Sequence, residues 1–318
     1  MSKIKKSLRY HKGKPNLIII HPPGTIEDYP FSIPQYRGSY MDFIRLAEKK
    51  FSIFYVRNEN KYRGQGTFSQ GYLFKKGKFE EYNKKIYARI IYNKTTLHAN
   101  GGRDWEIVNK WNLYKVSSDK FRSYNLFKKF MKPTYRIHSK NDFNKKINNI
   151  NANWVVFKPN RGGEGKGIII GSKNSVAEKI KKFDGIIQEF IDTSDGIPRI
   201  HNTYHDMRIL VMNGKIVQTY IRIPKKGNYL ANIARGGRMK EIKKQLVPKS
   251  AIRIVQEIDD KFNKYGARIY AVDFGFEHNK PYLFEINPQP GLPYKNWKMY
   301  YNDWHRELLK TLLKAIRQ

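Results

Sequence analysis

Two short apolar runs near the C-terminus set the tightest limit on this chain. In Tyr270–Phe276 the one charged side chain is Asp273, and Phe284-Glu285-Ile286 sets a second carboxylate among apolar neighbours. A carboxylate buried without a partner is costly, so each must meet a cation or hydrogen-bond donors. Arg268–Glu277 and Pro281–Ile286 read as a hairpin, whose antiparallel pairing can bring Asp273 and Glu285 side by side. A divalent cation would neutralise both, and magnesium takes oxygen ligands from one or two carboxylates, phosphates and water. Asn287, two residues beyond Glu285 and on the same side of the strand, can add a carbonyl oxygen. Pro288, Pro290 and Gly291 then stop the strand. The competing reading is ion pairing, since the chain carries 62 Lys and Arg. The doublet together with Asn287 favours the metal.

The 318 residues allow a sizeable core and two domains, or one domain with subdivisions. No apolar run approaches the roughly 18 residues of a membrane span. The basic start, Met1 to Lys6, is not followed by a long apolar segment, so no secretory signal is expected. The absence of cysteine excludes disulfides, thiolate metal sites and cysteine nucleophiles, and fits a cytoplasmic protein. The formal charge of +35 would attract polyanions. The basic residues are dispersed rather than clustered, and abundant Lys, Asn, Ile and Tyr also suit a low-GC genome. The charge therefore admits nucleic-acid binding without requiring it.

Strands are expected at Asn16–His21, Phe51–Val56 and Lys85–Tyr92, with a helix at Tyr40–Lys49 and loop or hairpin over 58–82. Helices follow at Asp119–Phe130, Asp142–Ile150 and Ser175–Phe183, with strands at Trp154–Lys158, Gly167–Gly171 and Gly185–Ile191. Asp206–Asn213 and Lys215–Ile223 form a hairpin through Asn213-Gly214. Pro248–Tyr265 is an amphipathic helix, and Leu308–Arg317 closes the chain as another. Helices alternate with strands early and hairpins dominate later, the order of an α/β domain followed by an α+β region.

Two further constellations bear on chemistry. Lys158-Pro159 leads into a loop containing Gly162, Gly163 and Gly165 between two apolar strands. Such glycines let backbone N–H groups approach an anion, and Lys158 could reach a phosphate. The loop is not a P-loop, and taken alone it reads better as a flexible turn. On the long strands stand Asp206, Arg208, Arg222, Lys225, Asn232 and Arg235. A half-buried guanidinium such as Arg208 needs an anionic partner, which reads equally as a ligand or as Asp206 or a neighbouring Glu. Beside Gly236-Gly237, Arg235 suits an anionic ligand.

In their order, these stretches resemble the ATP-grasp superfamily, in the branch of ribosomal protein S6 modification ligases and glutathione-synthetase-like carboxylate–amine ligases, over about residues 115 to 295. Lys158-Pro159 with its loop looks like the phosphate-binding lysine and mobile loop. Gln188-Glu189-Phe190-Ile191 looks like the hinge that reads adenine. Asp273 and Glu285-Ile286-Asn287-Pro288-Gln289-Pro290-Gly291 look like the metal-ligand motif. Lys120, at the start of a helix, takes the place of the first ATP-contacting lysine. Asp206-Met207-Arg208 and 232–237 are similar to segments holding substrate and terminal phosphate. Gln289 departs from the branch, which often has a small residue there. Asp192, Asp195 and Glu189 compete for the ribose.

The resemblance implies an ATP-grasp fold, both α/β and α+β: a basic lead-in at 1–15, a small N-terminal α/β domain at 16–115, a central lid subdomain at 116–192 and a C-terminal subdomain at 193–318. It implies ATP and magnesium (two ions, with manganese able to substitute) and a carboxylate–amine ligase working through an acyl phosphate. Lys120 and Lys158 would hold the α- and β-phosphates, and Arg222 and Arg235 would offset charge on the transferred group. Substrates would be amino acids, peptides or other small carboxylates and amines, extending to an acidic peptide or carrier protein, and homo-oligomers are common in the family. A kinase phosphorylating a hydroxyl and a basic nucleic-acid-binding protein are the alternatives. Asp273→Asn and Glu285→Gln are each expected to abolish Mg-ATP turnover with the fold intact.

Overall fold

The computed structural model describes residues 13–231 and 236–317, so most of the basic lead-in lies outside the described residues. β1 (Asn16–His21) is buried at every position, as suits a parallel strand covered on both faces. α1 (Pro34–Ala47) begins six residues before the expected Tyr40. Pro34 explains the early start: at the first helical positions its fixed φ suits the helix and its missing N–H is not needed. β2 (Ser52–Arg57) runs parallel to β1. The stretch 58–82 holds β3 (Thr67–Phe68) and the hairpin of β4 (Gly71–Lys75) and β5 (Lys78–Tyr82). Lys85–Tyr92 is not one strand. It divides into β6 (Ile86–Tyr87), paired with β3, and β7 (Ile90–Asn93), paired with β1, because its two ends bond to different sheets. β8 (Glu106–Val108) was not foreseen, being too short to show a period. It completes a six-stranded sheet in the order β5-β4-β2-β1-β7-β8.

α2 (Trp111–Ser118) was also missed. α3 (Lys120–Phe127) is capped by Asp119, whose carboxylate accepts the Arg122 N–H at 2.9 Å, and a 3-10 turn at Lys128–Phe130 replaces its expected end. Next come β9 (Thr134–Ile137), α4 (Lys140–Ile147), β10 (Trp154–Pro159), β11 (Ile169–Ser172), α5 (Lys173–Lys179) and β12 (Gly185–Glu189). The strands form an antiparallel sheet, β11-β10-β12-β9. Phe143 and Ile147 of α4 and Val176 of α5 pack on Val155, Phe157 and Ile187. The glycine-rich loop joins β10 to β11.

The last sheet is built from β13 (Asp206–Met212), β14 (Lys215–Ile223) and β15 (Arg238–Glu241), then, after α6 (Lys249–Phe262), β16 (Ile269–Glu277) and β17 (Lys280–Asn287). Asn213 and Gly214 both have positive φ, 47° and 82°, as the expected tight hairpin turn demands. α6 lays Ala251, Ile254, Val255, Ile258 and Phe262 on Met207, Ile209, Val211, Val272 and Phe274. Side chains alternate across a strand. The opposite face therefore receives Asp206, Arg208, Arg222, Asp273, Glu285 and Asn287, and this places the site. α7 (Tyr301–Ala315) starts seven residues before Leu308. Its Trp304, Leu308 and Leu312 join the first sheet to Leu210, Met212 and Ile269 in one core.

Candidate active site

Register sets the polar centre. Arg208 lies opposite Asp273, Asp206 opposite Arg222, and Asp273 opposite Glu285. Asp273 is fully buried. Its Oδ1 accepts from Arg208 Nε at 2.6 Å, and its Oδ2 from Arg208 Nη2 at 2.5 Å and Arg222 Nη2 at 2.7 Å. Arg222 also pairs with Asp206. Burial alone would raise the Asp273 carboxyl, but Arg208 and Arg222 outweigh it and hold the group below its ordinary value. Asp206 is pushed up to about 6, chiefly by burial, with Arg222 opposing and Asp273 adding to the rise.

The ion-pair reading of Asp273 thus holds, and it does not exhaust the carboxylate. It is an ion-pair partner, and it keeps oxygen capacity. A carboxylate has about four lone-pair positions. Three are taken, which leaves one on Oδ1. Among the described residues, the half-buried Glu285 carboxylate accepts no hydrogen bond and lies within 4 Å of no cation. Asn287 Oδ1 accepts one bond, from the Gln289 N–H at 2.8 Å. No group of three or more His, Cys, Asp or Glu side chains forms among the described residues. Two carboxylates and an amide on adjacent strands still make an all-oxygen set with free lone pairs, which fits a hard divalent cation.

Two cavities meet at this centre. The first is lined by Lys120, Lys158, Gly162, Gly163, Gly165, Gln188, Glu189, Phe190, Ile191, Arg222, Asp273 and Glu285, so most of the expected nucleotide residues converge there. The second, of about 600 Å³, includes Arg208, Asn287 and a wall of Tyr29, Tyr36, Tyr294 and Trp297. Lys120, Gly162, Gly163, Arg222 and Glu285 border both.

Local bonds place the lysines. Lys120 Nζ donates to the Gly162 carbonyl at 2.9 Å. Its backbone N–H donates to the Asn160 carbonyl at 3.0 Å, and the Phe121 N–H to Asn160 Oδ1 at 3.0 Å. Asn160, not singled out in the sequence, thereby ties the loop to α3. Lys158 Nζ donates to Gln188 Oε1 at 2.8 Å, and Gln188 Nε2 to Thr134 Oγ1 at 2.8 Å. The Gln188 side chain thus orients the lysine. Burial lowers Lys158 to about 8, with Glu285 opposing and Lys120 assisting.

Some expected residues are held by other protein groups or lie elsewhere. Glu189 pairs with Lys132 at 2.8 Å, and Lys132 with Glu277 at 2.6 Å. Asp195 borders neither cavity and sits beside the exposed His278 at 2.9 Å. The Asp192 carboxylate accepts the Ser194 N–H within its own loop at 3.0 Å. Asn232 and Arg235 lie outside the described residues, although Leu230 and Ala231 before them line the first cavity. Tyr204 and Tyr229, in edge contact at 5.2 Å, line it as well. Nothing in their local sequence marked them.

Residues 117–311 match the RimK-like ATP-grasp domain, well over half of the chain. The chain belongs to the RimK-like ATP-grasp family. It is an ATP-dependent enzyme of the carbon–nitrogen ligase kind, and the family uses ATP with divalent metal. A probable alpha-L-glutamate ligase of Syntrophotalea carbinolica is 28% identical over 228 residues, 67% of this chain and 70% of that protein. One from Legionella pneumophila is 30% identical over 185 residues, 55% of this chain and 57% of that one. The chain thus spans little more than half the length of several relatives. Two solved structures share the ATP-grasp fold. D-alanyl-alanine synthetase A from Vibrio cholerae has a TM-score of 0.63 at 12% identity, covering 96% of this chain and 99% of that one. A RimK domain ATP-grasp protein from Sphaerobacter thermophilus has a TM-score of 0.58 at 11% identity, covering 94% and 99%. No helix among the described residues is long and apolar enough to cross a membrane.

Proposed function

We propose that the chain joins a carboxylate to an amine through an acyl phosphate, with ATP leaving as ADP and phosphate. The supporting observation is the border shared by the two cavities. Lys120, Gly162, Gly163, Arg222 and Glu285 stand where a terminal phosphate from one side would meet a carboxylate from the other. Phosphoryl transfer depends mainly on positioning and charge neutralisation. Lys120 and Lys158 would hold the α- and β-phosphates. Arg222, with Arg208 and Arg235, would offset charge on the transferred group. The Gly162–Gly165 loop would close over the nucleotide and keep water from the acyl phosphate. Asp273 and Glu285 would hold one metal ion, and Glu285 and Asn287 a second. When bound, magnesium, or manganese in its place, neutralises phosphate charge. Gln188 to Ile191 would receive the adenine, with Glu189 or Asp192 near the ribose. The units 16–115, 116–192 and 193–318 would act as substrate domain, lid and catalytic base.

Because its relatives are named alpha-L-glutamate ligases, L-glutamate is the first substrate to test, as free amino acid and as an addition to an acidic peptide or carrier protein. ADP release would be followed with ATP, magnesium and carboxylate, with and without panels of amines. A ligase gives amide and ADP in equal amounts and needs both partners. Stoichiometric phosphorylation of a hydroxyl with no amine present would show a kinase and end the ligase reading.

A further inference from the structure

The segment that follows the metal ligands cannot hold itself in place. Pro288 and Pro290 have no backbone N–H, so the loop Pro288-Gln289-Pro290 offers three carbonyls and one backbone donor. That donor, on Gln289, is spent on Asn287 Oδ1 at 2.8 Å. Buried carbonyls must find donors elsewhere. Here they find them some 180 to 200 residues earlier in the chain. Asn109 Nδ2 donates to the Pro288 carbonyl at 2.5 Å. Lys94 Nζ donates to the Gln289 carbonyl at 3.2 Å and the Pro290 carbonyl at 2.7 Å.

The grip is reciprocal. Gln289 Nε2 donates to the Thr95 carbonyl at 2.5 Å and to the Asn93 carbonyl at 3.4 Å. Asn109 also brackets β16, accepting the Ile269 N–H at 2.8 Å and donating to the Ile269 carbonyl. Asn93 and Asn109 lie at the C-terminal ends of β7 and β8, and Asn109 is buried. One edge of the N-terminal sheet therefore fixes the loop whose Gln289 N–H orients Asn287.

We propose that Lys94, Asn109 and Gln289 form a latch through which the N-terminal sheet holds Asn287, and with it the end of β17 that carries Glu285, in metal-binding geometry. They are positioning residues, since none lies among the proposed metal ligands. The chemistry favours this role over plain packing. Every contact in the set is polar and directed, and the set ends on a ligand oxygen. Residues that orient metal ligands typically change metal affinity by about 10- to 100-fold when removed. The latch rests on the metal reading of Glu285 and Asn287, so its test must separate the two.

Manganese binding to the ADP-loaded protein would be measured by electron paramagnetic resonance for wild type, Lys94→Met, Gln289→Ala and Glu285→Gln. ADP affinity without metal and the thermal midpoint would be measured alongside. The latch predicts that Lys94→Met and Gln289→Ala each weaken manganese about 10-fold or more, with metal-free ADP affinity within about twofold. Gln289 is half-buried in a loop, so its variant keeps the test open if Lys94→Met does not fold. Wild-type manganese affinity in Gln289→Ala, with affinity lost in Glu285→Gln, would overturn the latch and leave the metal site standing. Unchanged manganese affinity in Glu285→Gln would overturn both.

Discussion

Asp273→Asn should destabilise the protein as well as inactivate it, in contrast to what the sequence suggested. The two guanidiniums of Arg208 and Arg222 carry two positive charges, which Asp206 and Asp273 balance. Replacing Asp273 by the neutral amide leaves the cluster with one uncompensated positive charge. It also sets an amide NH₂ against a guanidinium donor, because both carboxylate oxygens accept from arginine. Arg222 is 5% exposed and Asp273 is not exposed at all, so water cannot make good the loss. Removing one partner from a buried ion pair costs about 3–5 kcal/mol. The amide oxygen keeps part of the bonding, which favours the lower end, near ~3 kcal/mol. With a urea slope of roughly 3 kcal/mol/M, the midpoint should fall by about 1 M. Glu285→Gln is the control. Its carboxylate has no bonded partner among the described residues, so its stability should stay within ~0.5 kcal/mol of wild type, a midpoint shift of no more than about 0.2 M. Urea unfolding followed by tryptophan fluorescence reads both variants. An unchanged midpoint for Asp273→Asn would refute the claim that this carboxylate neutralises the two arginines.

Lys158 gives a pH prediction. Its ammonium is lowered to about 8 by burial, and phosphate binding favours the charged form. ATP affinity should therefore weaken as pH rises above about 8, by up to about tenfold per unit, and binding should take up a proton. Calorimetry in buffers of different ionisation enthalpy measures both, and a pH-independent affinity between 7 and 9.5 would remove Lys158 from the phosphate site. Two glycines should behave in opposite ways. A Cβ on Gly185 would stand 2.4 Å from the Lys158 carbonyl oxygen, so Gly185→Ala should cost about 1–3 kcal/mol of stability and weaken ATP binding. A Cβ on Gly163 meets nothing within 4 Å, so Gly163→Ala should leave the unfolding midpoint in place, and a loss of ATP affinity in that variant would report close approach of the phosphates to the loop.

Much of the candidate site was legible because its signals are local. Asp273, Glu285 and Asn287 stand in apolar strands of period two, and that period decides which face each side chain takes. Asn213-Gly214 encodes its own turn, and β1 and β14 have the bounds that their apolar runs suggested. Where local signals were weak, the reading failed. The three-residue β8 shows no period, Lys85–Tyr92 hides a change of sheet, and α1 and α7 begin six and seven residues before the helices expected there, in segments where apolar and polar side chains are mixed. The sequence by itself determined that two carboxylates and an amide would share one face of a hairpin. Tertiary structure alone decided that Asp273 is shared with Arg208 and Arg222, that Gln188 orients Lys158, and that Lys94 and Asn109 reach across the molecule to the loop after Asn287. The physical reason is distance along the chain. Periodicity is written into neighbouring residues, whereas the partner of a buried polar group depends on strand register and packing that bring together residues up to about 200 positions apart.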